Sequence, residues 1–162
     1  DINMVITRMF SHEGARRGSE FAISNFAKQI VSMERGEQFE IRVGNLDSIR
    51  TYNHVLDAVH AYWLCATVGV NGEVYNIGGT EVFSVGEMLN KLIILSELRN
   101  CRGGGVTRDE VNIIVDQNRL RPIDITLQIP DTTKFRQHTG WYPVYTADDI
   151  CNDLLNYWRE QE

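Results

Sequence analysis

The chain has 162 residues, which is enough for about one domain with its own apolar core. Its formal net charge of −6, with no basic stripe to offset it, argues against general binding to nucleic acid. No apolar run approaches the ~20 residues that a membrane-spanning helix needs. The three cysteines, Cys65, Cys101 and Cys151, are widely spaced and form no metal-ligand motif. We therefore expect a cytoplasmic globular protein without a nucleic-acid or membrane partner.

The predicted elements are short strands separated by helices. Residues 2–10 are apolar and β-branched and predict a buried strand, whereas apolar residues at three- and four-residue steps predict a helix over 20–35. Further along the chain, the same patterns predict strands over 39–43, 73–77 and 111–115 and helices over 54–68, from residue 84, over 131–138 and from residue 146. Because the sequence starts at Asp1 and enters a strand almost at once, we also expect it to be a piece of a longer protein.

Two local patterns sharpen the helix predictions. Ser84 with Glu87 has the spacing of a capping box, in which each side chain satisfies a backbone donor near the other residue, and Thr146 with Asp149 is expected to open the last helix. The apolar stripe of the predicted helix over 54–68 is expected to face the core and comprises Val55, Val59, Tyr62, Trp63 and Ala66. The three consecutive glycines at 103–105 predict a flexible loop.

Several catalytic motifs are absent from the sequence. No G-x-G-x-x-G spacing follows a strand, so the chain carries no dinucleotide fingerprint. No P-loop or nucleophile-elbow motif occurs, and no tyrosine is followed four residues later by lysine. The four histidines form no ligand-spaced cluster, and a zinc site is not expected.

Arginines at loop junctions are the main candidates for a binding site. Arg50 follows a polar turn and precedes a predicted helix, where a guanidinium can offer a planar fork of donors to phosphate oxygens. The alternative is that Arg50 forms a surface ion pair with Asp47 or Asp57. The residues alone favour the surface pair, because such pairs are common and weak.

Four runs of the sequence resemble one enzyme family. They are MVITRMFSHEGARRGSEF, VGNLDSIRTYNHVLDAVHAYWL, EVYNIGGTEVFSVGEML and RLRPID with DTTKFRQHTGWYP. In this order they resemble the carboxyl half of nucleotide-sugar-modifying extended short-chain dehydrogenases, and most of all GDP-mannose 4,6-dehydratases. The resemblance implies an α/β fold without the NADP-binding core, with a late Rossmann strand over residues 1–18 and a helix-rich substrate-binding lobe over 19–162.

The resemblance also implies a function. Enzymes of this family oxidise the sugar at C4 with NADP, eliminate water across C5–C6 and return the hydride to C6. NADP is expected in the intact enzyme and a GDP-sugar as its ligand, with a homo-oligomeric assembly. Because the Tyr-x-x-x-Lys pair and the cofactor fingerprint are absent, this chain is expected to be inactive alone and not to bind NADP by itself. A GDP-heptose dehydratase, a GDP-4-keto-6-deoxymannose reductase and a non-catalytic binding or assembly module are the alternatives.

The resemblance assigns site residues by position. Arg50 and Arg121 match arginines that hold the diphosphate or nucleotide. The other substrate-binding candidates stand where the family usually has Asn, Lys and Glu, and they are Ser11, Asn25 and Asp124. The cofactor-binding candidates match a loop near the cofactor phosphate and the tetramer contact, and they are Arg16 and Arg17. Thr51 and Ala15 replace a common Asp and Pro, which weakens the assignment to GDP-mannose itself.

Overall fold

A computed structural model describes residues 2–96, 98, 111–120 and 122–161 of the chain. The predicted glycine loop and the predicted diphosphate ligand Arg121 lie outside these described residues.

The described strands are two to four residues long and line up in four small sheets. Their bounds are Ile6–Met9 (β1), His12–Glu13 (β2), Glu40–Val43 (β3), Ile49–Thr51 (β4), Asn53–His54 (β5), Val74–Ile77 (β6), Val82–Ser84 (β7), Asn112–Val115 (β8) and Leu127–Gln128 (β9). Parallel pairs join β1 to β6, β2 to β5 and β3 to β8. Strand β4 lies between β7, which is antiparallel to it, and β9, which is parallel to it.

The helices are longer than the strands. Their bounds are Ala22–Glu34 (α1), Val55–Val68 (α2), Val85–Leu95 (α3), Thr133–Thr139 (α4) and Ala147–Glu160 (α5). The predicted capping box is confirmed at Ser84 and Glu87, which cap α3, and Thr146 and Asp149 form a second one at the start of α5. Helix α4 ends at Gly140, whose φ of 69° is the left-handed conformation that glycine adopts without strain.

The apolar core divides into two clusters. The larger cluster joins α1, α3 and α5 to β3, with Ile30, Leu92 and Leu154 fully buried in it. The smaller cluster joins α2, β6 and α4 through residues such as Tyr75 and Trp141. Met9 of β1 packs against this smaller cluster, and Phe83 of β7 packs against the larger one.

The prediction for the buried face of α2 is wrong. Val59 and Trp63 are 59% and 66% exposed, and the helix instead packs through its small residues Ala58, Ala61 and Cys65. Nearly the whole circumference of α2 is apolar, so its periodicity could not distinguish the packed face from the exposed one.

The first strand is also less buried than its composition predicts. It covers only Ile6–Met9, and alternate side chains along it are exposed. Ile6 is 47% exposed, and Met4 before it is 59% exposed. Strand β1 pairs with β6 and has no second partner strand among the described residues, so its outer edge and one face remain uncovered there.

Candidate functional site

A cavity of about 770 Å³ opens between the start of α1, strand β4 and the segment that leads into β9. Its buried floor includes Phe26, Tyr52 and Val85, and its exposed lining mixes polar side chains with Ile123 and Ile125. Four of the five predicted substrate-binding residues line it, and they are Ser11, Asn25, Arg50 and Asp124. A wide polar cavity with cations on its walls has the size and chemistry to hold a phosphorylated ligand.

Arg50 is fixed in the wall of this cavity by partners on the β9 side. Its Nη1 donates to Gln128 Oε1 at 2.7 Å, and its Nη2 lies 3.3 Å from both Asp124 Oδ1 and the Ile125 carbonyl oxygen. The alternative of a surface pair with Asp47 or Asp57 is therefore wrong, because the carboxylate beside Arg50 is that of Asp124. These contacts hold the guanidinium in one orientation at the cavity wall.

Asp124 is the centre of a small hydrogen-bond network. Its Oδ2 accepts from Ser48 Oγ at 2.7 Å and from Asn45 Nδ2 at 2.9 Å, while Oδ1 faces Arg50. The Ser48 hydrogen bond, followed by those of Asn45 and the charge of Arg50, holds the pKa of Asp124 below its usual value against the opposing effect of burial. Asp124 is thus ionised at neutral pH and ties Arg50 to the turn before β4.

Asn25 lies on the first turns of α1, where its side chain joins two other segments. Its Oδ1 accepts from Arg119 Nη1 at 2.7 Å and from Gln29 Nε2 at 2.7 Å, and its Nδ2 donates to the Ser19 carbonyl oxygen. Arg119 also lines the cavity and lies 3.6 Å from Asp116. The site predictions missed Arg119, although the basic spot that it forms in the sequence with the next arginine was a signal for it.

Arg17 reaches the same cavity from the loop after β2. Its guanidinium lies 3.4 Å over the ring of Phe21, and its Nε is 3.7 Å from Glu13 Oε2. A cation stacked on an aromatic face keeps donors free at its edge for an anionic ligand. Arg17 was predicted to contact a cofactor, but it borders this cavity as well as the neighbouring one.

Arg16 faces a second, smaller cavity of about 290 Å³, which it lines with Arg17 and His12. Its φ of 69° is positive, which is unusual for a residue with a side chain. Gly14 permits this loop shape, because a Cβ at that position would lie only 2.7 Å from Val55. The Ala15 N–H, which donates to Asp153 at 2.7 Å, holds the loop in place. The two adjacent arginines therefore both line this cavity.

A buried acid and phenol lie at the inner wall of the larger cavity. Glu13 and Tyr52 are 5% and 6% exposed, and both line the cavity. Burial raises the pKa of Glu13 to about 7, although nearby Arg17 opposes the shift. Burial and then the Glu13 charge raise the pKa of Tyr52. The site predictions missed both residues, since a glutamate in a loop motif is normally exposed.

The described part of the chain shows neither a cluster of metal ligands nor a membrane-spanning helix. Within it, no three His, Cys, Asp or Glu side chains are placed to bind a metal ion together. None of the helices described there has the length and apolar character to cross a membrane.

Comparison with known proteins identifies the fold and the protein family of this chain. The fold is that of nucleotide-sugar dehydratases and epimerases of the extended short-chain dehydrogenase type, which confirms the predicted fold class. The family model for GDP-mannose 4,6 dehydratase matches residues 1–154, and the chain belongs to this family.

The relatives are distant and longer than this chain. The GDP-mannose 4,6 dehydratase of Homo sapiens is 26% identical over 160 residues, which cover 91% of this chain and 42% of that protein. The GDP-6-deoxy-D-mannose reductase of Pseudomonas aeruginosa is 24% identical over 98% of this chain and 49% of its own length. The chain thus spans somewhat less than half the length of these relatives.

Solved structures show the same fold. RMD from Pseudomonas aeruginosa in complex with NADPH superposes with a TM-score of 0.84 at 24% identity, covering 98% of this chain and 49% of that one. A dTDP-glucose 4,6-dehydratase from Bacillus anthracis in complex with NAD gives a TM-score of 0.74 at 20% identity, covering 97% and 45%. At 20–24% sequence identity, the similarity to these two structures is evidence for the fold alone.

Proposed function

We propose that this chain is the nucleotide-sugar-binding part of a GDP-mannose 4,6-dehydratase-like enzyme and has no dehydratase turnover by itself. The observation that carries the proposal is the convergence of Ser11, Asn25, Arg50 and Asp124 on one polar cavity. These residues come from separate parts of the chain, and family membership supports their assignment to a GDP-sugar.

In this proposal the residues bind and orient the ligand. Arg50 holds the diphosphate, because it is a fixed cation whose orientation is set by Gln128 and Asp124 before a ligand arrives. Arg119 adds a second cation on the opposite wall, where it is held by Asn25. The apolar floor near Phe26 offers a surface for the base. Arg121 remains a proposed diphosphate ligand from the resemblance alone.

The residues of the second cavity fit one end of a nicotinamide cofactor. Arg16, Arg17 and His12 line it, and two adjacent guanidinium groups are suited to a phosphate. NADP, when bound, supplies the hydride acceptor and donor of the family reaction. The chain lacks both the cofactor fingerprint and the Tyr-x-x-x-Lys pair. We therefore propose that these arginines complete a cofactor site whose main part lies on a Rossmann half, and that the chain alone does not retain NADP.

Uncovered apolar surface supports a Rossmann half as a neighbour. Strand β1 has one parallel partner among the described residues, and parallel sheets are normally covered on both faces. Met4 and Ile6 beside it, and Leu56, Val59 and Trp63 on α2, are all more than 45% exposed. We propose that the Rossmann half packs on this surface, and that the chain forms homo-oligomers. The free, buried thiols of Cys65 and Cys151 suit the proposed cytoplasmic location.

Calorimetric titration of the chain with GDP-mannose tests the proposed site. We expect Arg50→Ala to weaken binding about 10-fold to 100-fold, because hydrogen bonds to charged groups contribute about 1.5–3 kcal/mol. Arg42→Ala is the matched control and should bind as wild type, since Arg42 lies on β3, outside the cavity lining, and pairs with Glu40. If Arg50→Ala binds GDP-mannose as tightly as wild type, the site is elsewhere.

An activity assay tests the second part of the proposal. We expect the pure chain, mixed with NADP and GDP-mannose, to form no 4-keto product, because the proton-transferring pair is not in its sequence. A full-length GDP-mannose 4,6-dehydratase under the same conditions is the positive control. Product formation by the chain alone would show that it carries a catalytic apparatus of its own.

Three alternatives can be distinguished by ligand-binding and self-association assays. The similarity to GDP-6-deoxy-D-mannose reductase supports a reductase as the source of this lobe, with a GDP-heptose dehydratase as a further candidate. A thermal-shift panel of GDP sugars ranks these, because the ligand that binds most tightly raises the melting temperature most at equal concentration. A non-catalytic assembly module predicts no shift with any nucleotide sugar but stable self-association in size-exclusion chromatography.

A further inference from the structure

Several buried polar atoms beside the larger cavity have no hydrogen-bond partner among the described residues. They include Glu13 Oε2 and Tyr52 Oη. Buried polar side chains are nearly always hydrogen-bonded to protein or water, so such atoms call for a specific explanation. Both residues line the cavity, so a ligand in it can supply the missing partners once the two side chains turn toward the opening.

The two side chains face the same space. In the parallel pairing of β2 with β5, Glu13 lies opposite His54, and Tyr52 is two residues before His54. Side chains alternate along extended backbone, so Glu13, Tyr52 and Arg50 lie on one side. Both residues, together with Arg50, line the larger cavity.

The position of Tyr52 relative to Arg50 indicates which part of a bound ligand Glu13 and Tyr52 would contact. The two residues are two steps apart in extended backbone, which separates their Cα atoms by about 7 Å. If Arg50 holds the diphosphate, a distance of this order is spanned by the pyranose ring attached to it. From this geometry, and resting on the proposed function, we propose that Glu13 and Tyr52 form a subsite for the hydroxyl groups of the hexose of a nucleoside-diphosphate sugar.

The chemistry of the pair suits hydroxyl groups. A carboxyl and a phenol together can accept and donate hydrogen bonds, as a sugar hydroxyl also does. A glutamate would ordinarily repel a diphosphate ligand. Burial raises the pKa of Glu13 to about 7, so near neutral pH a large fraction of the molecules hold it uncharged.

The test compares GDP with GDP-mannose by calorimetry at pH 7, using the chain and two variants. Glu13→Leu and Tyr52→Phe should lower the affinity for GDP-mannose about fivefold to tenfold more than the affinity for GDP, because each removes hydrogen bonds to the hexose alone. Tyr52→Phe should also melt at the same temperature as wild type or higher, since it removes a buried hydroxyl that has no hydrogen-bond partner among the described residues and breaks no ion pair. A residue needed only for folding would lower the melting temperature instead.

The other possible results of this titration each contradict either the subsite or the proposed function. Variants that keep the wild-type preference for GDP-mannose over GDP rule out the subsite, as does a wild-type chain that binds the two ligands equally. Parallel weakening of both ligands would mean that Glu13 acts through Arg17 on the nucleotide instead. Failure of the wild-type chain to bind either ligand overturns the proposed function itself. Tyr62→Phe, on the exposed face of α2, is the control and should behave as wild type.

Discussion

Replacing Asp57 by alanine is expected to destabilise the chain by about 1.5–3 kcal/mol, because the hydrogen bonds that two backbone N–H groups donate to a buried, charged acceptor would be lost. Asp57 lies in the first turn of α2 and is 2% exposed. Its carboxylate accepts from the Val144 N–H at 3.0 and 3.1 Å and from the Tyr145 N–H at 3.1 Å. Without it, both N–H groups lose their acceptor. Equilibrium unfolding in urea measures the change.

Two further variants separate this role from a general effect of charge. Asp57→Asn keeps an acceptor oxygen and should cost less than alanine. Asp148→Ala removes an exposed carboxylate that pairs with Lys91, and it should cost less than about 1 kcal/mol. If Asp57→Ala is as stable as Asp148→Ala, then the segment after α4 is not held by Asp57.

Replacing Trp141 by alanine is expected to cost about 3–5 kcal/mol, the range for removing a large buried aromatic side chain. Trp141 is 1% exposed and packs beside Phe135, with ring centroids 5.5 Å apart. Its Nε1 donates to the Asp57 carbonyl oxygen at 3.3 Å. The side chain therefore fills the smaller cluster and fastens α4 to α2. Urea unfolding followed by far-UV circular dichroism gives the free energy of unfolding.

Trp141→Phe is the matched variant for this position. It keeps an aromatic ring but loses the indole N–H and part of the volume, so its cost should lie clearly below that of alanine. A loss of less than about 1 kcal/mol for Trp141→Ala would show that the smaller cluster contributes little to the stability of the fold.

Local signals in the sequence were sufficient for much of the secondary structure. The capping box at Ser84 was predictable because both partners lie within one helical turn. The packed face of α2 was not predictable in this way. Ala58 and Ala61 are buried because other elements approach them closely, and only the tertiary structure determines that approach.

The candidate site shows the same limit. The resemblance indicated Arg50 and Asp124 as separate ligands, whereas the structure makes them partners of each other across β4 and the segment before β9. Arg119 is a site residue because it lines the cavity and contacts Asn25, which is far away in the chain. The burial of Glu13 could not be foreseen, because nothing in its neighbouring residues distinguishes it from an exposed glutamate.

The parallel strand pairs also have a consequence for how fast the chain folds. Ile6 pairs with Val74, and Glu40 pairs with Asn112, so each pair closes a loop that contains much of the remaining chain. Contacts between such distant residues require a large loss of chain entropy before they form, and proteins rich in them fold in milliseconds to seconds rather than microseconds. During that interval the residues of the larger apolar cluster, such as Ile30 and Leu92, are open to other copies of the chain. Lower temperature and dilute protein during expression and refolding should therefore raise the yield.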